Sequence, residues 1–166
     1  MSVGVQTWHY GLVARWWAEF SEGGDDLEFF RDAIRRCGEP ALDAGCGTGR
    51  LLLPLLRSGM DIDGSDVSQD MLIWCANRAE AEGLSANLYQ QAMHVLDLPR
   101  RYRTVVLCGS FGLGGTRFTD LEGLRRIHSH LEPGGTLVMD HYPPKRGSDY
   151  YETQVGSLEL PCGWPE

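Results

Sequence analysis

No hydrophobic run in this chain is long enough to cross a bilayer: the longest, residues 51–56, contains Pro54 and falls far short of the roughly 20 residues a spanning helix needs. The first residues lack the basic region, apolar stretch and small-residue cleavage site of a secretory leader, so a cytoplasmic protein away from membranes is expected. Paired cysteines are missing too. Cys37, Cys46, Cys75, Cys108 and Cys162 are odd in number and never spaced C-x-x-C, which predicts reduced thiols rather than a disulfide framework. His128 and His130 stand two apart and diverge on a helix, so no metal site is expected. Positive charge is scarce, with 15 Lys and Arg against 23 Asp and Glu and a net charge of -8, which excludes a broad nucleic-acid footprint. The one basic run, Arg100, Arg101 and Arg103, reads as a solvated loop.

What remains is an ordinary globular composition, 42% hydrophobic and 23% charged over 166 residues, sufficient for one domain. Trp8, Leu12, Trp16 and Phe20 recur every fourth residue, flanked by Val13 and Trp17, and predict a first helix with a strongly apolar face. A second helix has Leu27, Phe30, Ile34 and Cys37 in 3-4-3 spacing, with Asp25 or Asp26 as its cap and Gly38 as its stop.

From Ala41 the pattern becomes strand, tight turn, helix, and it recurs. Strands are predicted over residues 41–44, 61–65, 86–90, 104–108 and 136–140. Between them lie a helix over 50–58, a helix capped by Ser68 with Leu72, Cys75, Ala76 and Ala79 inward, and a helix opened by a Thr119/Glu122 capping box with Leu121, Leu124, Ile127 and Leu131 on one side. Alternation of this kind implies right-handed crossovers and a parallel sheet covered on both faces, the doubly wound α/β class. Residues 143–166 carry no sustained period and read as a mostly irregular segment of the same domain, following residues 1–142.

The densest signal is ALDAGCGTGR, residues 41–50. Glycines at 45, 47 and 49 leave a strand and enter a helix, so the backbone turns tightly and approaches a ligand with no Cβ in the way. A dinucleotide fingerprint requires a further glycine where Arg50 stands, which disfavours NAD. A glycine turn without a ligand is the bland alternative. Asp66, 21 residues after Gly45 at the predicted end of the second strand, weighs against it: a carboxylate there accepts hydrogen bonds from ribose hydroxyls. Asp66-Val67-Ser68 equally suits a helix cap, and the two roles are compatible.

Taken together, these segments resemble the class I S-adenosylmethionine (SAM) dependent methyltransferases. ALDAGCGTGR looks like the family's first motif, DGSDVSQDML (63–72) its second, QAMHVLDLP (91–99) its third, VVLCGSFGL (105–113) its fourth and LEPGGTLVMD (131–140) the entry to its fifth strand; the likeness spans residues 7–142. It implies a Rossmann-like sheet ordered 3-2-1-4-5 in this chain, with N-terminal helices packed over the cofactor, and S-adenosyl-L-methionine as that cofactor. By the resemblance, Asp43 and the Gly45, Cys46, Gly47 and Gly49 backbone hold the methionine part, Asp66 the ribose, and Val67 one adenine face. Ala92 and Met93 meet the base from the other side, and Gly109 and Ser110 lie near the sulfonium. Family members often place an Asp near position 92; here Gln91, Ala92 and Met93 stand there, with Gln91 or a backbone group as the replacement.

Methyl transfer from a sulfonium is an in-line displacement whose leaving group needs no proton, so alignment in a dry site supplies most of the rate. A base is required only for a protonated acceptor. His141 is the first candidate, followed by Tyr10 and His9; each also has a plain structural reading. The expected function is methyl transfer to a small molecule, the alternative a truncated or catalytically silent SAM-binding domain. The family continues into strands seven and six beyond strand five. Residues 143–166 show no hairpin of that kind, so a homodimer through an exposed strand-five edge is a further expectation.

Overall fold

The computed structural model describes residues 9–21, 23–113 and 115–140. Two helices, α1 (Leu12–Phe20) and α2 (Leu27–Cys37), precede β1 (Ala41–Ala44), α3 (Leu52–Arg57), β2 (Ile62–Asp66), α4 (Gln69–Ala81), β3 (Leu88–Gln90), a 3₁₀ turn (Met93–Val95), β4 (Tyr102–Leu107), α5 (Arg117–His130) and β5 (Leu131–Met139). The five strands form one parallel sheet in the order β3-β2-β1-β4-β5. Central strands are apolar on both faces because helices cover both. Phe30 and Ile34 of α2, Leu52, Leu53 and Leu55 of α3, and Leu72 and Cys75 of α4 form the core on one face. Ile127 of α5 and Leu96 pack with Leu42, Val105 and Leu107 on the other. A Cβ at Gly64 of β2 would lie 2.7 Å from Leu52 Cδ2, so α3 sits directly on the strand there.

Several local expectations are corrected. The stripe of α1 does not enter the core: Leu12, Trp16 and Phe20 are 79%, 54% and 69% exposed, while Ala14 and Ala18 are buried. Small residues allow α1 to lie close on α4, and that packing overrides the apolar periodicity. In α4 the inward set is Met71, Leu72, Cys75 and Ala79, with Ala76 exposed. Helix α5 starts earlier than expected, with Thr116 as N-cap and Thr119 as its capping-box partner. Its inward residues are Gly123, Ile127 and His130, and Leu121 is exposed. Strand β5 begins at Leu131, and residues 132–135 bulge out between the pairs Tyr102↔Leu131 and Thr104↔Thr136.

Arg100 is not in a solvated loop. Its guanidinium forks onto Asp63 (Nε–Oδ2 2.8 Å, Nη2–Oδ1 2.8 Å) and onto Asp61 (Nη1–Oδ2 3.0 Å, Nη2–Oδ1 2.7 Å) at the amino end of β2. Tyr102 Oη and Asn87 Nδ2 donate to the same Asp63, each at 2.9 Å. His130 is structural: its Nε2 accepts from Leu98 N at 2.9 Å, so Nδ1 carries the proton and faces Arg126 O at 2.8 Å. No helix among the described residues is long and apolar enough to cross a membrane.

Candidate functional site

A cleft of about 240 Å³ opens at the carboxyl ends of β1, β2 and β4, where the chain departs to opposite sides of β1. Open α/β sheets bind ligands at such a switch point because the two diverging loops leave a crevice between them. Here the crevice is closed at its base by Ser110, whose Oγ donates to Ala44 O at 2.9 Å across the β4 and β1 termini.

The glycine turn forms one wall. Gly45, Gly47 and Gly49 have φ of 84°, 53° and 87°, a region that disfavours any residue with a Cβ. Two of them are also demanded by packing: a Cβ at Gly45 would sit 2.4 Å from Ser110 Cβ, and one at Gly49 2.6 Å from Leu53 Cγ. At Gly47 a Cβ would meet nothing within 4 Å, so this glycine faces open cleft. Gly45 N and Cys46 N both donate to Ser65 O, at 2.7 and 3.0 Å, and suspend the turn from β2. The buried Cys46 thiol is pushed up by its contact with Cys75 and by burial.

Asp66 joins that turn to α4. Its Oδ2 accepts from Gly47 N at 2.9 Å and its Oδ1 from Ser68 N at 2.8 Å. The capping itself falls to Ser68, whose Oγ accepts from Met71 N. Burial raises the Asp66 pKa, opposed by those backbone donors. Asp43, on β1, is buried more completely, and its Oδ2 has no hydrogen-bond partner. Burial pushes its carboxyl up to about 7; the Arg50 charge opposes the shift and Asp66 adds to it.

Arg50 and Asp26 form a clamp that local sequence patterns do not reveal, being 24 residues apart. Nη1 reaches Oδ1 at 2.7 Å, Nη2 reaches Oδ2 at 2.9 Å, and Nη1 also donates to Gly23 O at 2.9 Å. The expected Asp26 cap is therefore corrected: its side chain makes no capping bond, and hydrogen bonds from Arg50 hold its pKa down at about 2. Cys108 Sγ donates to Asp26 Oδ2 at 3.1 Å, and burial raises the pKa of this thiol.

Val67, Ala92 and Met93 line the opposite wall. Gln91 lines it too, but its amide is engaged with the Asp97 backbone, accepting from N at 2.6 Å and donating to O at 3.0 Å, so it is not available to replace the family's acidic residue. Gly109 also lines the cleft, its N donating to Asp140 Oδ1 at 2.7 Å. Of the three candidate bases, His9 lines the cleft, with its ring edge-on to Trp17 at 6.0 Å between centroids and its backbone oxygen accepting from Ser68 Oγ. Tyr10 is 61% exposed and is not among the lining residues. His141 lies outside the described residues. Trp17, Phe111, Leu113 and Asp120 complete the mouth. Trp17 was visible only as part of a helical stripe, Phe111 and Leu113 close the fourth motif segment without having been singled out in it, and Asp120 carries no motif. Among the described residues no group of His, Cys, Asp and Glu is arranged to hold a metal ion.

Known proteins share this arrangement. A family model described as a methyltransferase domain matches residues 41–135. A Geobacillus sp. (strain WCH70) protein named a methyltransferase is 30% identical over 107 residues, 64% of this chain and 43% of that protein. The chloroplastic magnesium protoporphyrin IX methyltransferase of Arabidopsis thaliana is 39% identical over 70 residues, 42% of this chain and 22% of that one. The chain thus spans less than half the length of these relatives. Among solved structures, Streptomyces venezuelae DesVI superposes with a TM-score of 0.61 at 29% identity, over 70% of this chain and 50% of its own. The sugar N-methyltransferase KedS8 of Streptoalloteichus sp. ATCC 53650 gives 0.66 at 25% identity, over 86% and 60%. Because the family match runs from β1 and its glycine turn into the start of β5, more than half of the chain, the protein belongs to the class I SAM-dependent methyltransferases.

Proposed function

We propose that the cleft binds SAM and that the chain transfers its methyl group to a small-molecule acceptor. The observation carrying this reading is the buried, unpartnered Oδ2 of Asp43 beside the open face of Gly47. A buried acceptor without a donor is costly, and a ligand ammonium satisfies it. Arg50 supplies positive charge at the same end for a carboxylate, so the two suit an amino-acid zwitterion. Asp66 spends one lone pair of each oxygen on a backbone N–H and retains others for ribose hydroxyls. Val67, Ala92 and Met93 present apolar surface for the base. Arg50 stands where a pyrophosphate-binding turn requires a further glycine, which separates the reading from NAD.

SAM, when bound, supplies an electrophilic methyl on a positively charged sulfur. The chain's contribution is position and dryness: the glycine turn and Ser110 fix the floor, while His9, Trp17 and Phe111 narrow the mouth. Among the described candidate bases, His9 is the one that lines the cleft, which supports it as the group that takes a proton from an acceptor that needs to lose one. The similarity to KedS8, a sugar N-methyltransferase, supports a small-molecule acceptor.

Calorimetric titration with SAM, S-adenosylhomocysteine and NAD is the test. Dissociation constants in the micromolar range, about -8 kcal/mol, are expected for the first two and no saturable binding for NAD. Equal thermal stabilisation by NAD and SAM would overturn the proposal. Binding without transfer to hydroxyl, amine or thiol acceptors would favour the silent cofactor-binding reading instead.

A further inference from the structure

Four arginines from three consecutive helical segments line one open groove on the outer side of the layer formed by α2, α3 and α4. They are Arg31 on α2, Arg50 just before α3, Arg57 at its end and Arg78 on α4, with Leu27 and Pro54 between them and no carboxylate in the lining. The shape follows from helix length: α3 has 6 residues against 11 in α2 and 13 in α4, so its neighbours stand beside it as walls. Leu52, Leu53 and Leu55 turn inward to the core, which leaves Pro54 and Arg57 on the groove side.

In a chain of net charge -8 this is a local reversal of sign. Among the described residues, neighbouring acids outside the groove hold Arg31, Arg50 and Arg57: Glu28 pairs with Arg31, Asp26 with Arg50 and Glu82 with Arg57. Even so, the Arg31 Nε is buried and has no hydrogen-bond partner. Desolvated donors of this kind are rare without an acceptor, and guanidinium forks match phosphate oxygens bidentately. A single phosphate engages forks from two sides; arginines on both walls and the floor suit two linked phosphates.

We propose that this groove binds a diphosphate-class anion, either free pyrophosphate or the diphosphate of a nucleotide, and that Arg50, which lines both the groove and the cofactor cleft, couples the two sites. An anion in the groove competes with Asp26 for the Arg50 fork and draws positive charge away from the cleft. The coupling rests on the cofactor reading above; the anion site does not.

The test is calorimetry on the whole ligand-free chain with sodium pyrophosphate and with ADP, against sodium chloride at equal ionic strength. One saturable site in the micromolar range is expected, weakened about tenfold or more by Arg31→Gln and by Arg57→Gln. Arg57 is 55% exposed, so its variant keeps the fold, which circular dichroism checks. Tighter binding of ADP than of pyrophosphate, with both weakened by these variants, assigns the nucleotide source, and pyrophosphate binding weakened by the variants without any variant-sensitive ADP binding assigns the free anion. Absence of saturable heat, or heat that neither variant changes, overturns the site. For the coupling, saturating pyrophosphate should weaken S-adenosylhomocysteine by about threefold or more. Unchanged affinity refutes the coupling, whereas no S-adenosylhomocysteine binding in any condition refutes the cofactor reading and leaves the pyrophosphate result standing.

Discussion

Asp63 and Asp43 sit on adjacent strands, in register one residue apart, and are 1% and 2% exposed. At the amino end of the sheet, Asp63 is saturated: a bidentate Arg100, the Tyr102 hydroxyl and the Asn87 amide all point to it. Asp43, on the carboxyl side, has one oxygen with no partner, and its carboxyl is raised to about 7. The two differ in what their surroundings complete. A buried charge whose partners come from β4 and from the segments just before β3 and β4 ties the fold together; one left incomplete beside an open crevice waits for a ligand.

The sharpest way to break this contrast is to remove Asp63. Asp63→Ala leaves Arg100 and the Tyr102 hydroxyl facing a void, and unfolding by urea should show a loss of about 3–5 kcal/mol, the usual cost of orphaning a buried ionic partner. A loss under about 1 kcal/mol would mean that water replaces the carboxylate and that the network is not a lock. Any fraction that remains folded should bind S-adenosylhomocysteine normally.

Asp43→Asn should act the other way, costing the ligand-free fold nothing while weakening S-adenosylhomocysteine by about 1.5–3 kcal/mol, the range for hydrogen bonds to a charged partner. Its pH signature sharpens the test. With a folded pKa of about 7 against an ordinary 3.8, the folded protein holds the Asp43 proton more tightly than the unfolded chain between those values. Stability should therefore be greatest near pH 4, fall as pH rises to 7, and level off beyond, with Asp66 adding in the same sense. Asp43→Asn should flatten that decline. Asp26 contributes with the opposite sign, its stabilisation disappearing as pH falls from 3.8 through about 2. A wild-type stability that rises steadily from pH 4 to 7 would contradict the burial assigned to Asp43.

At the surface of α1 the expected effect is smallest. Trp16→Gln should change stability by no more than about 0.5 kcal/mol despite the size of the side chain, since the ring is 54% exposed and, among the described residues, packs against Trp17 and Phe20 on its own helix. Thermal denaturation decides it: a loss of about 3 kcal/mol, as for a core aromatic, would mean that the stripe is covered in solution. Strand β5, which pairs only with β4 among the described residues, is the other candidate for such cover. Sedimentation that reports a dimer, dispersed by Val138→Lys, would support the proposed pairing through its edge; a monomer at all concentrations would refute it.

Features that depend on neighbours in the chain were legible in the sequence. The glycine turn, Ser68 as a cap and the alternation of strands and helices follow from backbone sterics and local hydrogen bonds, each set within a few residues, whereas the order 3-2-1-4-5 was implied by the family resemblance. Asp66 was singled out by its place at the end of the second strand and Asp43 by the resemblance, and both line the cleft. What only the tertiary structure decided is which distant groups meet. Arg50 finds Asp26 across 24 residues and Arg100 finds Asp63 across 37, and no spacing rule reaches that far. Periodicity likewise misjudged α1, because an apolar stripe reports that a face exists and not what covers it. Two alanines close on α4 displaced Trp16 and Phe20 from the core, and packing, which sums over every neighbour in space, outweighed the local pattern.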